Sequence, residues 1–241
     1  MSAVLELQQV SKSYGAGPTL VDALVEVDLS VRTGELVAIM GPSGSGKSTL
    51  LTIAGTLEDA TSGVVLVGGT DVSNMSANER ARMRRRFIGY VFQSLNLLAG
   101  LTATENVSLP LELDGTRAST ARRLAREALE SLGLGDRTEH YPDELSGGES
   151  QRVAIARAVV GQRSLVLADE PTGALDSLRG EEVMRLLRSA CKGGVAGVVV
   201  THDAQLASWA DRVVFVRDGR IVDQTAPSTR SQRLVVPGPN R

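Results

Sequence analysis

The chain has 241 residues, 42 % of them apolar and 22 % charged, a length and balance that suit one large domain or a domain with a small lobe. Lys and Arg total 26 against 28 Asp and Glu, leaving a net charge of −2, which argues against global electrostatic binding to nucleic acid. The one cysteine, Cys191, excludes an intrachain disulfide and fits a reducing compartment.

Taken in chain order, Leu5–Val10 and Ala23–Val31 show the alternating apolar positions of strands, with a break at Gly15-Ala16-Gly17-Pro18, and predict an antiparallel opening. Leu36–Met40 is a short apolar run. A glycine-rich loop and a helix start at Ser48–Gly55 follow it, as at the head of a βαβ unit. Val64–Val67 and Gly89–Phe92 read as further short strands. Residues 97–145 change character. Glu105–Leu113 and Arg117–Gly133 predict short helices, the second with Ala121, Leu124, Ala125, Ala128, Leu129 and Leu132 on one face. Alternation then resumes: helix at Gln151–Val160, strand at Leu165–Ala168, helix at Gly180–Lys192, and strands at Val198–Val200, Val213–Val216 and Ile221-Val222. That order predicts a mainly parallel sheet covered on both faces. Trp209 and the scattered Phe residues read as packing, and His140 as surface. Gln224–Arg241, with three prolines and three arginines, reads as a mobile tail.

No run of 18 or more apolar residues occurs, and Met1–Glu6 lacks the basic start and apolar stretch of a secretory signal. Action at a membrane would therefore require another chain to supply the spanning part.

Gly41-Pro42-Ser43-Gly44-Ser45-Gly46-Lys47-Ser48, followed by Thr49, fits G-x-x-x-x-G-K-[ST] in full. Glycines let successive backbone N–H groups point at one anion, and the helix behind presents its positive end to it. Lys47 adds a point charge for outer phosphates, and the Ser48 hydroxyl can ligate Mg²⁺. Leu165–Ala168 ends in Asp169 and Glu170. Parallel strands converge on one edge, so Asp169 would reach the metal near Ser48, and Glu170 would face an attacking water.

Leu145-Ser146-Gly147-Gly148-Glu149 places a good cap and two glycines ahead of Gln151–Val160, a second helix start able to hold phosphate. With Gln151-Arg152-Val153-Ala154-Ile155-Ala156-Arg157-Ala158 behind it, the segment closely resembles the signature of ATP-binding cassette ATPases. The rest of the chain resembles that family in order from about residue 5 to about residue 223. Tyr14 resembles the aromatic residue that stacks on adenine. Gln93 resembles the glutamine that touches Mg²⁺ and reports to the transmembrane partner. Asp176 resembles the aspartate of the loop crossing the dimer interface, and His202 the switch histidine at the γ-phosphate.

The resemblance implies an α/β fold: a P-loop NTPase core with a mainly parallel sheet, an N-terminal antiparallel β subdomain, and a helical subdomain at about 97–150 within a single domain spanning 1–223. It implies an ATPase in which two copies sandwich two ATPs with Mg²⁺, each site completed by Ser146, Gly147, Gly148 and Glu149 of the other copy. It also implies an integral-membrane permease on a separate chain and a place on the cytoplasmic face of the membrane. Leu50–Gly55, Gly68–Val72, Arg84–Gln93 and Ala168–Asp176 look like the lipoprotein-release, macrolide-export and cell-division branch, some members of which transmit force without carrying cargo. Ser150 departs from the Gln of many relatives, outside the glycine pair. Repair-type cassettes insert long coiled coils between loop and signature, whereas Lys47 and Ser146 are only 99 positions apart here. The five arginines of Arg80–Arg86 read as a solvated helix face.

Overall fold

The computed structural model describes residues 3–173 and 177–225. β1 (Ala3–Tyr14) and β2 (Val21–Arg32) form an antiparallel hairpin. Both outrun their apolar stretches, because pairing carries through the polar ends: Tyr14 faces Val21 and Ala3 faces Arg32. β3 (Leu36–Met40) leads through the glycine loop into α1 (Lys47–Ala54). β4 (Ser62–Val67) pairs with β1, and the two-residue β5 (Thr70–Asp71) closes that sheet in the order β2-β1-β4-β5. α2 (Ala77–Phe87) and β6 (Ile88–Val91) follow, then the helical region of α3 (Ala103–Leu113), α4 (Ala118–Ser131) and α5 (Gly147–Val159). β7 (Leu165–Asp169), α6 (Ser177–Lys192), β8 (Ala196–Val200), α7 (Ala204–Ala207), β9 (Arg212–Arg217) and β10 (Arg220–Gln224) complete the described chain. Gln224, which the sequence reading gives to the tail, ends β10, and Thr225 still bonds to Val213.

The second sheet has the order β10-β9-β3-β8-β7-β6 and is parallel apart from the β9–β10 pair. Its central strands are buried on both faces. In β3, Val37 and Ile39 join one apolar cluster, while Leu36 and Ala38 join the other. β7 divides in the same way, Leu165 and Leu167 against Val166 and Ala168. This is why these strands read as unbroken apolar runs rather than as alternation. α1 sits between the two sheets, with Leu50, Leu51, Ile53 and Ala54 at 1 % exposure or less. Burying each such leucine contributes about 1.5–3 kcal/mol, so the phosphate loop is anchored by the core behind it.

The helical region has its own apolar cluster, in which Ala125 and Leu129 of α4 meet Ala103 and Val107 of α3 and Val153 and Ala156 of α5. Leu124, Ala128 and Leu132 pack at its edge. Asn106 is 1 % exposed and satisfies both ends of its amide. Its Oδ1 accepts from Leu98 N, and its Nδ2 donates to the carbonyls of Leu98, Leu101 and Thr102. A buried polar group with that many partners holds the 98–102 segment against α3.

The arginine run departs from the expected solvated face. Ser76 and Glu79 form a capping box that starts α2. Arg80 then pairs with Asp59, Arg84 donates to the Thr56 carbonyl at 2.5 Å, and Arg86 Nε lies 2.9 Å from Asp114. α2 is thus strapped to the α1–β4 connection on one side and to the end of α3 on the other. Phe87 is also not core, being 40 % exposed.

Candidate functional site

Register explains how the site assembles. Ile39 of β3 aligns with Val200 of β8, and Val200 aligns with Asp169 of β7. Three connections therefore leave one sheet edge side by side: the loop from Gly41, the turn carrying His202, and the pair Asp169–Glu170. β8 stands between the two strands that carry the loop and the acids. Val91 of β6 aligns with Ala168, so Gln93 leaves the same edge one strand further out. This is where open α/β sheets bind ligands.

The loop's glycines have backbone reasons. Gly46 caps α1 at φ 102, and a Cβ there would lie 2.3 Å from the Ala23 carbonyl oxygen. At Gly41 (φ 155) a Cβ would lie 2.0 Å from the Val216 carbonyl oxygen. Lys47 is 8 % exposed, and its Nζ donates to the carbonyls of Gly41 (2.9 Å) and Pro42 (2.7 Å). The ammonium is thereby held inside the loop's curve. Pro42, Ser43 and Gly44 form its rim, and Thr49 follows Ser48 in the first turn of α1. Ser45 Oγ is buried without a partner, an orphaned polar atom in a cradle shaped for anions.

Burial pushes the Asp169 carboxyl above the usual range, opposed by the Ser48 hydroxyl and by Lys47, and reinforced by the charge of Glu170. A half-buried carboxylate beside a hydroxyl is incompletely solvated, and a hard cation would relieve it. Among the described residues there is no group of three or more His, Cys, Asp or Glu that could hold a metal alone. Any Mg²⁺ here would share Ser48 and Asp169 with phosphate oxygens and water.

Glu170 has φ 43, the left-handed region that a residue with a Cβ adopts only when its surroundings impose it. Its N–H bonds to Val200 O at 3.0 Å and its carbonyl accepts from Gly173 at 3.1 Å. The side chain thereby turns toward His202, with Oε2 3.3 Å from Nδ1. The His202 side chain is 70 % exposed, at the mouth of the site. Next to it, Asp203 caps α7 through Gln205 N and Leu206 N.

Tyr14 ends β1, 40 % exposed, its hydroxyl donating to Glu58 Oε2 at 2.7 Å. Gln93 is exposed. Behind it Leu95 and Asn96 have φ 58 and 49, and Arg157 of α5 donates to their carbonyls at 2.5 and 2.6 Å. Asp176 lies outside the described residues.

The signature segment is built differently. Ser146 caps α5, accepting from Glu149 N at 3.3 Å while its own N–H donates to Glu149 Oε2 at 2.8 Å. Arg137 Nε lies 2.9 Å from Glu149 Oε1. Those bonds to Ser146 and Arg137 hold the Glu149 carboxyl down to about 2. Its oxygens are thus engaged within the chain, whereas a Cβ added at Gly147 would meet nothing within 4 Å. Among the described residues, no hydrogen bond joins Ser146, Gly147, Gly148 or Glu149 to the phosphate loop. Two residues of α5 that carry no signal of their own in the sequence tie it to the core. Gln151, 4 % exposed, donates to the Pro171 carbonyl next to Glu170, and Arg157 holds the Gln93 loop.

A phosphate loop, a carboxylate beside its serine, and a strained glutamate facing a histidine on one parallel-sheet edge define a nucleoside-triphosphatase cassette. A family model described as "ABC transporter" matches residues 24–173. The chain belongs to the ABC transporter family and is an ATP-binding cassette ATPase. It is 48 % identical over 222 residues to the macrolide export ATP-binding/permease protein MacB of Escherichia coli K12, covering 92 % of this chain and 34 % of that one. The figures are the same for MacB of Brucella melitensis biotype 1. The chain thus spans about a third of the length of these relatives. Among solved structures, the dimeric MJ0796, a bacterial ABC transporter cassette, superposes with a TM-score of 0.85 at 42 % identity, covering 92 % of this chain and 97 % of that one. A dimeric post-hydrolysis state of MJ0796 bound to ADP and Pi matches at 0.85 and 41 %, with the same coverage.

Proposed function

We propose that the chain is the ATP-hydrolysing subunit of a membrane export complex, closing as a pair around two ATPs to drive a permease on a separate chain at the cytoplasmic face of the membrane. The observation that carries the catalytic reading is the Ile39–Val200–Asp169 register, with Glu170 Oε2 3.3 Å from His202 Nδ1 at its mouth. The dimeric solved relatives support the pairing, and the export and permease parts rest on the MacB relatives. No helix of the described residues is long and apolar enough to cross a membrane.

In this reading the loop amides and Lys47 hold the β- and γ-phosphates, and Tyr14 carries the base. Ser48, Asp169 and Gln93 would hold Mg²⁺, which when bound supplies neutralising charge to the phosphate oxygens. Glu170 orients a water against the γ-phosphorus and takes its proton as the bond to the ADP oxygen breaks, giving ADP and phosphate. His202 fixes Glu170 and reaches the γ-phosphate. Ser146, Gly147 and Gly148 of a second copy present a capped helix N-terminus to the same phosphate, and Glu149 stiffens that terminus. Asp176 is assigned to the contact between copies. ATP then favours the closed pair because only that state gives each phosphate both helix ends.

The test is phosphate release from ATP with and without Mg²⁺, together with light scattering of the full chain with ATP. Mg²⁺-dependent release and a doubling of mass are expected. Release without Mg²⁺ dependence, or turnover by a strict monomer, would overturn the reading.

A further inference from the structure

Tyr14 is held by a small polar cluster that the phosphate chemistry does not use. Its hydroxyl donates to Glu58 Oε2 at 2.7 Å. Lys12, two residues back on the same face of β1, lies 3.2 Å from Glu58 Oε1, with its Nζ 4.9 Å from the centre of the Tyr14 ring. The same ammonium donates to the Asp59 carbonyl at 2.8 Å, and Thr52 of α1 donates to Glu58 Oε2 at 3.4 Å. An exposed tyrosine ordinarily samples several rotamers. This one has its hydroxyl tied to a carboxylate and an ammonium over one face, yet keeps 40 % of its surface open. The carboxylate is fastened in turn to α1, the helix that carries the phosphate loop.

We propose that Glu58 and Lys12 are positioning residues for nucleotide recognition, locking the Tyr14 ring so that the face opposite the ammonium takes the purine at a fixed distance from the phosphate loop. The inference rests on the reading of Tyr14 as the base platform. Stacking on a pre-oriented ring avoids the ordering cost that a free side chain meets on binding. The lock also fits the chemistry. A ring that offers its face and spends its hydroxyl elsewhere reads the base by shape, so adenine and guanine should be accepted alike.

The readout is the ratio of affinities for ATP and for inorganic tripolyphosphate, measured by titration calorimetry of the full chain without added divalent cation. Glu58→Ala should weaken ATP by about tenfold, within the range of one base–aromatic stack, and leave tripolyphosphate unchanged. Tyr14→Phe, which removes the donor and leaves Glu58 in place, should shift the ratio in the same direction. Glu58→Gln should fall between, keeping an oxygen for the tyrosine but no charge for Lys12. Tyr14→Ala separates this proposal from the reading beneath it. If Tyr14→Ala leaves the ratio intact, the base platform itself is wrong. If it collapses the ratio while Glu58→Ala and Tyr14→Phe keep it, the lock alone is overturned. An equal loss for both ligands in Glu58→Ala and Tyr14→Phe would assign the cluster to folding instead.

Discussion

The two helix starts that the proposed function assigns to phosphate, those of α1 and α5, are prepared in opposite ways. The loop before α1 is left in tension: Lys47 is buried against carbonyls, Ser45 Oγ has no partner, and burial pushes the Asp169 carboxyl up. The start of α5 is already satisfied: Ser146 and Glu149 cap each other, Arg137 completes the carboxylate, and its pKa is held down. A site in tension gains most from a ligand, because binding removes a cost that folding left. A satisfied helix end gains little by itself, but it presents fixed N–H groups wherever the helical region carries it. That contrast fits the roles proposed above, the first gripping and hydrolysing the nucleotide and the second sensing its phosphate from another copy.

The largest expected effect tests the first region alone. Glu170→Gln keeps the shape of the side chain but cannot take a proton. Phosphate release should fall by roughly 10²–10⁴-fold, as for loss of a general base, while ATP still binds and holds the pair closed in size-exclusion chromatography. Normal turnover in that variant would remove Glu170 from its assigned role.

Next in size is the test that sets the two regions against each other. Lys47→Ala should weaken ATP by about a hundredfold, the loss of one charge-assisted phosphate contact. Ser146→Arg should abolish hydrolysis and leave ATP binding to the single chain intact. In a symmetric pair each site would take its loop from one copy and its signature from the other. An equal mixture of these two inactive variants should therefore recover about a quarter of wild-type turnover, through heterodimers with one intact site. No recovery, with mixed pairs demonstrated by pull-down, would mean that the two regions do not share a site.

How much of this was legible in the sequence depends on whether the cause was local. The phosphate loop, the 165–169 strand and the cap at Ser146 are set by neighbours in sequence, and each falls within a residue or two of its expected place. The α5 ties could not be read. Gln151 and Arg157 matter only because Pro171 and the carbonyls of Leu95 and Asn96 arrive from elsewhere in the chain. The same holds for Glu58, which sits in a polar turn and gains meaning from Tyr14, 44 positions away. The arginine run misled for a related reason: its acceptors, Asp59, Thr56 O and Asp114, are tertiary. β5 is two polar residues and has no pattern to detect.

Stability offers a finer version of the contrast. Asp169→Asn removes a carboxylate that burial disfavours. A raised folded value means that the ionised group is a liability above its ordinary value of 3.8, and that the liability fades as pH falls toward and below it. The variant should melt above wild type at neutral pH and lose Mg²⁺-dependent hydrolysis. Equal melting temperatures at pH 7 would show that the tension at Asp169 is relieved before any ligand binds.

The smallest effect has the opposite sign. Glu149 is held down to about 2 from an ordinary 4.5. The stability it contributes is fully present above 4.5 and is lost as pH falls from there toward 2. Glu149→Gln keeps an oxygen for the Ser146 N–H but gives up the charge facing Arg137 and the positive end of α5. Solvent screening limits what an ion pair of this exposure is worth, so the variant should melt only about 2 °C below wild type at pH 7. That gap should close as the pH is lowered through 4.5, while the gap opened by Asp169→Asn closes from the other side. Melting curves of the three chains by circular dichroism between pH 7 and pH 3 read both signs in one experiment. If the Glu149→Gln gap stayed constant over that range, the carboxylate would not be ionically engaged, and the start of α5 would owe its rigidity to the Ser146 cap alone.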